Sequence, residues 1–150
     1  METQSLVPPR GNTPFHAVVT SMVSDSHTWN LVFLQLLLEE LGCRVTNLGS
    51  CVPAELIVAE CRRHRPDLVV VSSVNGHGYR DGMRTIAALR GQPELRDTPI
   101  VIGGKLGIGG PDRERTGRLL RAGFDAVFDD GADLAQFRDY AAALPAGGRR

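Results

Sequence analysis

A carboxylate and an imidazole stand two positions apart in Asp25-Ser26-His27, at the head of the stretch Asp25-Ser26-His27-Thr28-Trp29-Asn30. That spacing suits metal ligation. A metal-bound histidine usually passes its other ring N–H to a carboxylate, which fixes the tautomer and strengthens the ligand. A free zinc ion needs about three or four protein ligands, and one histidine does not supply them. One histidine does supply an axial bond to a metal already held by a macrocycle, so the stretch favours a prosthetic group over a bare ion.

Two other stretches offer polar groups or a lack of bulk. Ser72-Ser73-Val74 is followed by Asn75-Gly76-His77-Gly78. Its hydroxyls read either as ordinary turn residues or as donors pointing into a crevice, and His77 either as a second polar contact or as a solvated loop residue. Gly76 and Gly78 do not make a dinucleotide fingerprint, which belongs after the first strand with an acidic residue about 20 positions on. Gly103-Gly104 carries no side chains, which lets a ligand or another backbone come close. Three stretches relieved of bulk point to a deep slot. No nucleophile elbow, Gly-x-Ser-x-Gly, is present.

The elements that must position these groups alternate. Strand-like runs cover His16–Val23, Arg44–Leu48, Leu68–Ser72, Pro99–Ile102 and Asp125–Phe128. Helices are expected over Trp29–Leu41, from Pro53 to about Arg63, and over Asp81–Arg90, Pro111–Ala122 and Gly131–Ala143. Strand and helix repeated five times predict an α/β fold with a doubly wound, five-stranded parallel sheet. The expected class is flavodoxin-like (Rossmann-like), with strand order 2-1-3-4-5. Ligands bind such sheets at the carboxyl ends of the strands, at the switch point. The loops after strands one, three and four would then share one site. The first helix is apolar beyond one face: Leu31, Leu34, Leu38 and Leu41 form one stripe, and Phe33, Leu36 and Leu37 a second. A surface helix normally shows one stripe, so this one is either deeply buried or docks on a partner or large ligand.

The chain has 150 residues, with 17 Lys+Arg against 17 Asp+Glu. That fits one domain, expected over residues 15–144 between a flexible arm, 1–14, and a tail, 145–150. A neutral, aromatic-poor chain is a weak candidate for nucleic acid and feels little pull toward anionic membranes. No stretch approaches the ~20 apolar residues of a membrane span. Cys43, Cys51 and Cys61 are odd in number without Cys-x-x-Cys spacing, which argues for reduced thiols and a cytoplasmic location.

With these residues in place, a family likeness can be stated. The chain resembles cobalamin-binding domains, most closely the small (sigma) subunits of glutamate mutase, also called methylaspartate mutase. Their motifs are Asp-x-His-x-x-Gly after the first strand, Ser-x-Leu after the third and Gly-Gly after the fourth. Here they read Asp25-Ser26-His27-Thr28-Trp29-Asn30, Ser72-Ser73-Val74 and Gly103-Gly104, so Asn30 stands for the motif glycine and Val74 for the leucine. The resemblance implies His27 as the lower axial ligand of cobalt, with Asp25 behind it. It implies a detached nucleotide tail in the slot, met by Ser72 with room made by Gly103 and Gly104. Ser26, Thr28, Asn30, Ser73, Val74, Gly76 and His77 are the remaining expected contacts. The implied cofactor is cobalamin, most simply adenosylcobalamin. The implied partner is a large barrel subunit that holds the substrate, since the small subunit is not catalytic alone. The implied reaction is the radical interconversion of glutamate and 3-methylaspartate, an isomerase activity. The alternative is a stand-alone cobalamin carrier, methyl-transfer or sensor module. Methyl-transfer modules usually add a helical cap domain, for which no room is expected here. Lys105 invites comparison with response-regulator receivers, but those need an aspartate where Ser72 or Ser73 stands.

Overall fold

Five runs rich in β-branched residues form strands: β1 (His16–Thr20), β2 (Arg44–Gly49), β3 (Leu68–Ser73), β4 (Ile100–Gly104) and β5 (Ala126–Asp129). They alternate with α1 (Trp29–Glu40), α2 (Ala54–His64), α3 (Gly78–Arg90), α4 (Arg113–Ala122) and α5 (Leu134–Ala143), and a short 3-10 turn covers Pro93–Leu95. These come from a computed structural model that describes residues 15–130 and 132–145. The expected arm, 1–14, and tail residues 146–150 lie outside them. The sheet is wholly parallel, in the order β2-β1-β3-β4-β5. This is the flavodoxin-like architecture expected from the alternating pattern.

Alternation along the strands splits the core in two. Val69 and Val71 of β3 pack with Ile57, Ile86 and Leu119 from α2, α3 and α4. Leu68 and Val70 pack on the other face with Leu31, Leu38 and Phe137 from α1 and α5. Side chains of a strand switch faces at every step. Ser72 therefore belongs to the α1–α5 face and Ser73 to the α2–α4 face, although both are buried.

Element ends depart from the sequence expectation for local reasons. The Asp112 carboxylate accepts the N–H groups of Glu114 and Arg115, and the Asp133 carboxylate that of Ala135. These are N-caps, so α4 and α5 begin after them rather than at Pro111 and Gly131. Helix α3 begins at Gly78, three residues earlier than expected. β1 stops at Thr20, where its register against β2 shifts. β4 runs on through the two glycines, which pair with Ser72 and Ser73.

Helix α1 buries Leu31, Leu37 and Leu38 and leaves Trp29, Val32, Phe33 and Leu36 in solvent. The second stripe thus loses Leu37 to the core and gains Trp29 and Val32. Among the described residues no helix is long and apolar enough to cross a membrane.

The three cysteines are free thiols in three environments: Cys51 is exposed, Cys43 half-buried and Cys61 buried. Burial, with the charge of Glu60, pushes the Cys61 thiol up to about 12. Burial and the Asp67 carboxylate raise Cys43 as well. Thiolate is the reactive form. A disulfide reagent such as DTNB is therefore expected to titrate Cys51 rapidly in the native protein. Cys43 should lag, and Cys61 should react only after denaturation, as peptide mass mapping would show.

Candidate functional site

The spacing of Asp25 and His27 has a local cause. The Asp25 carboxylate takes the backbone N–H two residues on, at 3.0 Å, as aspartates do in Asx turns. The same oxygen, Oδ1, lies 2.7 Å from His27 Nδ1. A carboxylate only accepts, so the imidazole carries its proton on Nδ1 and its lone pair on Nε2. The other oxygen, Oδ2, accepts the Val74 N–H at 2.7 Å and ties the first loop to the end of β3. Asp25 is 1% exposed, while the His27 side chain is 58% exposed. The result is a buried carboxylate that orients an accessible imidazole with a free nitrogen.

Burial alone would push the Asp25 carboxyl up. The N–H groups of Val74 and His27 and the His27 ring outweigh it and hold the group below the usual carboxylate value. Three backbone bonds fix the loop around it. The Asp25 carbonyl accepts from Ser21 Oγ at 2.8 Å and from the Cys51 N–H at 2.9 Å. The Asp25 N–H donates to the Met22 carbonyl at 3.0 Å. Ser24 Oγ donates to the Asp81 carboxylate of α3, and Asn75 Nδ2 donates to the Ser24 carbonyl at 2.8 Å. Ser21, Ser24, Asn75 and Asp81 escaped the sequence reading. A hydroxyl or amide that bonds across loops leaves no spacing signal.

In the first turn of α1, Asn30 opens a groove of about 260 Å³. Its floor is the carboxyl end of the sheet at Val70, Ser72, Val101, Gly103 and Gly104. Its walls are Phe33 and Leu34 of α1, Phe128 of β5 and Phe137 of α5, with Val74 and Asp129 also lining it. The four wall residues were not anticipated as site residues, because alone they read as ordinary core positions. The polar groups on α1 and β3 are Asn30 and Ser72, joined by a bond from Asn30 Nδ2 to Ser72 Oγ of 2.7 Å.

The residues grouped by sequence divide into three. Asp25 and His27 form the oriented pair, and Ser26 and Thr28 flank it in solvent. Asn30, Ser72, Val74, Gly103 and Gly104 line the groove. Ser73, Gly76 and His77 do not line that groove. Ser73 Oγ donates to Asn75 Oδ1 at 3.2 Å on the opposite face. Gly76 and His77 border a shallower hollow with Tyr79, Leu106 and Arg115.

The donor set offers one metal bond and, apart from it, a groove. His27 offers a single oriented nitrogen. The groove is largely apolar, with a hydroxyl on its floor and Asp129, Asp130 and Asp133 on its β5–α5 side. Among the described residues no cluster of three or more His, Cys, Asp or Glu side chains could hold a metal ion.

Comparison with known families agrees with that geometry. The family model described as the B12 binding domain matches residues 15–136, nearly all of the described fold. The chain belongs to this B12-binding family. Among its relatives is the glutamate mutase sigma subunit of Halobacterium salinarum, 33% identical over 114 residues, which are 74% of this chain and 74% of the relative. The HTH-type transcriptional repressor CarH of Myxococcus xanthus is 36% identical over 89 residues, 59% of this chain but 29% of the repressor. In three dimensions the fold resembles a cobalamin-binding protein from Desulfitobacterium hafniense, with a TM-score of 0.68 and 22% identity. The likeness covers 86% of this chain and 60% of that one. The B12-binding match includes the Asp25–His27 pair and every groove residue except Phe137.

Proposed function

We propose that this protein is the cobalamin-binding subunit of a glutamate mutase-type isomerase. The observation that carries the reading is the 2.7 Å contact from His27 Nδ1 to the buried Asp25 carboxylate, which leaves Nε2 free in an exposed loop. His27 would hold the cobalt, with Asp25 fixing the imidazole. The groove would take the nucleotide tail between α1 and the sheet, with the Ser72 hydroxyl donating to the tail's base. Bound as adenosylcobalamin, the cofactor would supply one-electron chemistry.

The chain's own share is to bind, orient and tune that group. Substrate chemistry, the interconversion of glutamate and 3-methylaspartate, falls to a separate barrel subunit. The exposed apolar run Trp29, Val32, Phe33 and Leu36 on α1 suits contact with that partner. Kinship with the repressor keeps one second reading in view, a cobalamin-dependent sensor module. Co-purification with a large barrel subunit separates the two.

An absorbance titration with hydroxocobalamin tests the central claim. The protein is expected to shift the cobalamin spectrum to the form with the dimethylbenzimidazole base released and histidine bound. A spectrum unchanged by excess protein would end the reading.

A further inference from the structure

The resemblance stated from the sequence implies a glycine where this chain has Asn30. The side chain gained there is tied down: Asn30 Nδ2 donates to Ser72 Oγ at 2.7 Å. A serine hydroxyl accepts on its lone pairs and donates its single proton. With Asn30 filling an acceptor position, that proton is left for a group in the groove. Hydrogen bonds in a chain also strengthen one another in a low-dielectric setting.

A second observation concerns the other end of the Asn30 amide. Its carbonyl oxygen, Oδ1, is shut off from solvent and has no hydrogen-bond partner. A buried polar atom left unpaired is costly, and the motif's glycine would avoid that cost. Asn30 also lines the groove with Val70, Val101, Gly103 and Phe128, apolar neighbours among which one oriented hydroxyl proton counts heavily, while Asp129, Asp130 and Asp133 line the β5–α5 side.

We propose that Asn30 is a positioning residue for Ser72, turning the serine proton toward an acceptor nitrogen on the base of the corrinoid tail. This rests on the corrinoid reading given above. It predicts that Asn30 acts on the tail alone and not on the cobalt bond.

The test compares hydroxocobalamin with diaquacobinamide, which lacks the nucleotide tail, by absorbance titration of the full-length protein. Asn30→Ala is expected to weaken hydroxocobalamin binding roughly five- to tenfold, the worth of one net hydrogen bond. Its affinity for diaquacobinamide should equal that of wild type, and at saturation its histidine-bound spectrum should be unchanged. Asn30→Asp is the sharper variant. A carboxylate only accepts, so it would draw the Ser72 proton to itself and present lone pairs to the tail. It should bind hydroxocobalamin more weakly than Asn30→Ala does, even though an acidic residue in the first turn favours the helix. Ser72→Ala should match Asn30→Ala, and the double variant should be no worse than either single one, because both act through one proton. Equal losses for both corrinoids, wild-type affinity or tighter binding in Asn30→Ala, or Asn30→Asp no weaker than Asn30→Ala would each overturn the proposal. If the wild-type protein binds neither corrinoid, the corrinoid reading itself fails, which is a different result from any of these.

Discussion

His27→Gly is expected to abolish the histidine-bound spectrum of added hydroxocobalamin while leaving the fold intact. The side chain is 58% exposed, and the one side-chain partner identified for its ring nitrogens is Asp25. Its removal therefore opens no cavity. What is lost is the Nε2 lone pair and, with it, the bond that competes with the cofactor's own base. Circular dichroism should match wild type and the melt should shift only slightly, since Asp25 keeps the N–H groups of residue 27 and Val74, and any cobalamin that still binds should keep its own base on the metal. A His27→Gly protein that still gives the histidine-bound spectrum would remove His27 from the role.

Asp25→Asn should do less to the spectrum and more to the fold. Three donors converge on the two Asp25 oxygens: the His27 N–H, the His27 ring and the Val74 N–H. An amide accepts at one end only, so one donor would face an NH2 group. Leaving a buried group unsatisfied costs about 1–3 kcal/mol. Loss of an orienting partner typically weakens a histidine–metal bond about 10–100-fold. The pH dependence follows from the same contacts. Burial pushes the carboxyl up, but the hydrogen bonds prevail and hold it below its ordinary value of 3.8. Its contribution to stability is therefore complete above that value and is lost as pH falls through the lower native one. Acid unfolding of Asp25→Asn should lack this contribution, so its stability should fall less steeply than wild type below pH 4. An acid limb as steep as wild type would show that the native bonds do not hold that proton off.

Much of this was legible in the residues. Valine- and isoleucine-rich runs separated by helices implied a parallel sheet, and a five-strand count implied its order. Asp25 and His27 were legible because an Asx turn is a local device, complete within three residues. Ser72 and Ser73 were not separable, because their faces depend on where β3 stands in register, and one step reverses the side. The sequence from Ser73 to Tyr79 reads as one glycine-rich loop. In fact α3 begins at Gly78 and carries its first turn toward Leu106. Phe128 and Phe137 were invisible as groove walls, since a groove between α1 and α5 is a property of packing and not of any run of sequence. Asn30 was legible as a departure from the motif, but its bond to Ser72, 42 positions away, was not.

Gly104→Ala is expected to destabilise the protein by about 4 kcal/mol or more, in the range reserved for changes that break a named structural constraint. Sequence reading assigns both glycines of Gly103-Gly104 to making room, but the structure gives them different tasks. Gly104 has φ of +104°, and a Cβ there would lie 1.9 Å from the Ser73 carbonyl oxygen. That oxygen also accepts the Lys105 N–H at 2.7 Å, so it cannot retreat without breaking the end of the β3–β4 ladder. The space at Gly104 is already taken by backbone. At Gly103 a Cβ would meet the Phe128 carbonyl oxygen at 3.1 Å and its Cβ at 3.2 Å. β5 is an edge strand and can give by the few tenths of an ångström required. By strand alternation that methyl would fall on the α1–α5 face, on the floor of the groove. Gly103→Ala should therefore fold with a loss of about 1 kcal/mol and bind hydroxocobalamin weakly, with diaquacobinamide less affected. Urea denaturation of both variants separates the two tasks. A Gly104→Ala protein as stable as Gly103→Ala would mean that β4 leaves the sheet by another path, and the groove floor would have to be redrawn.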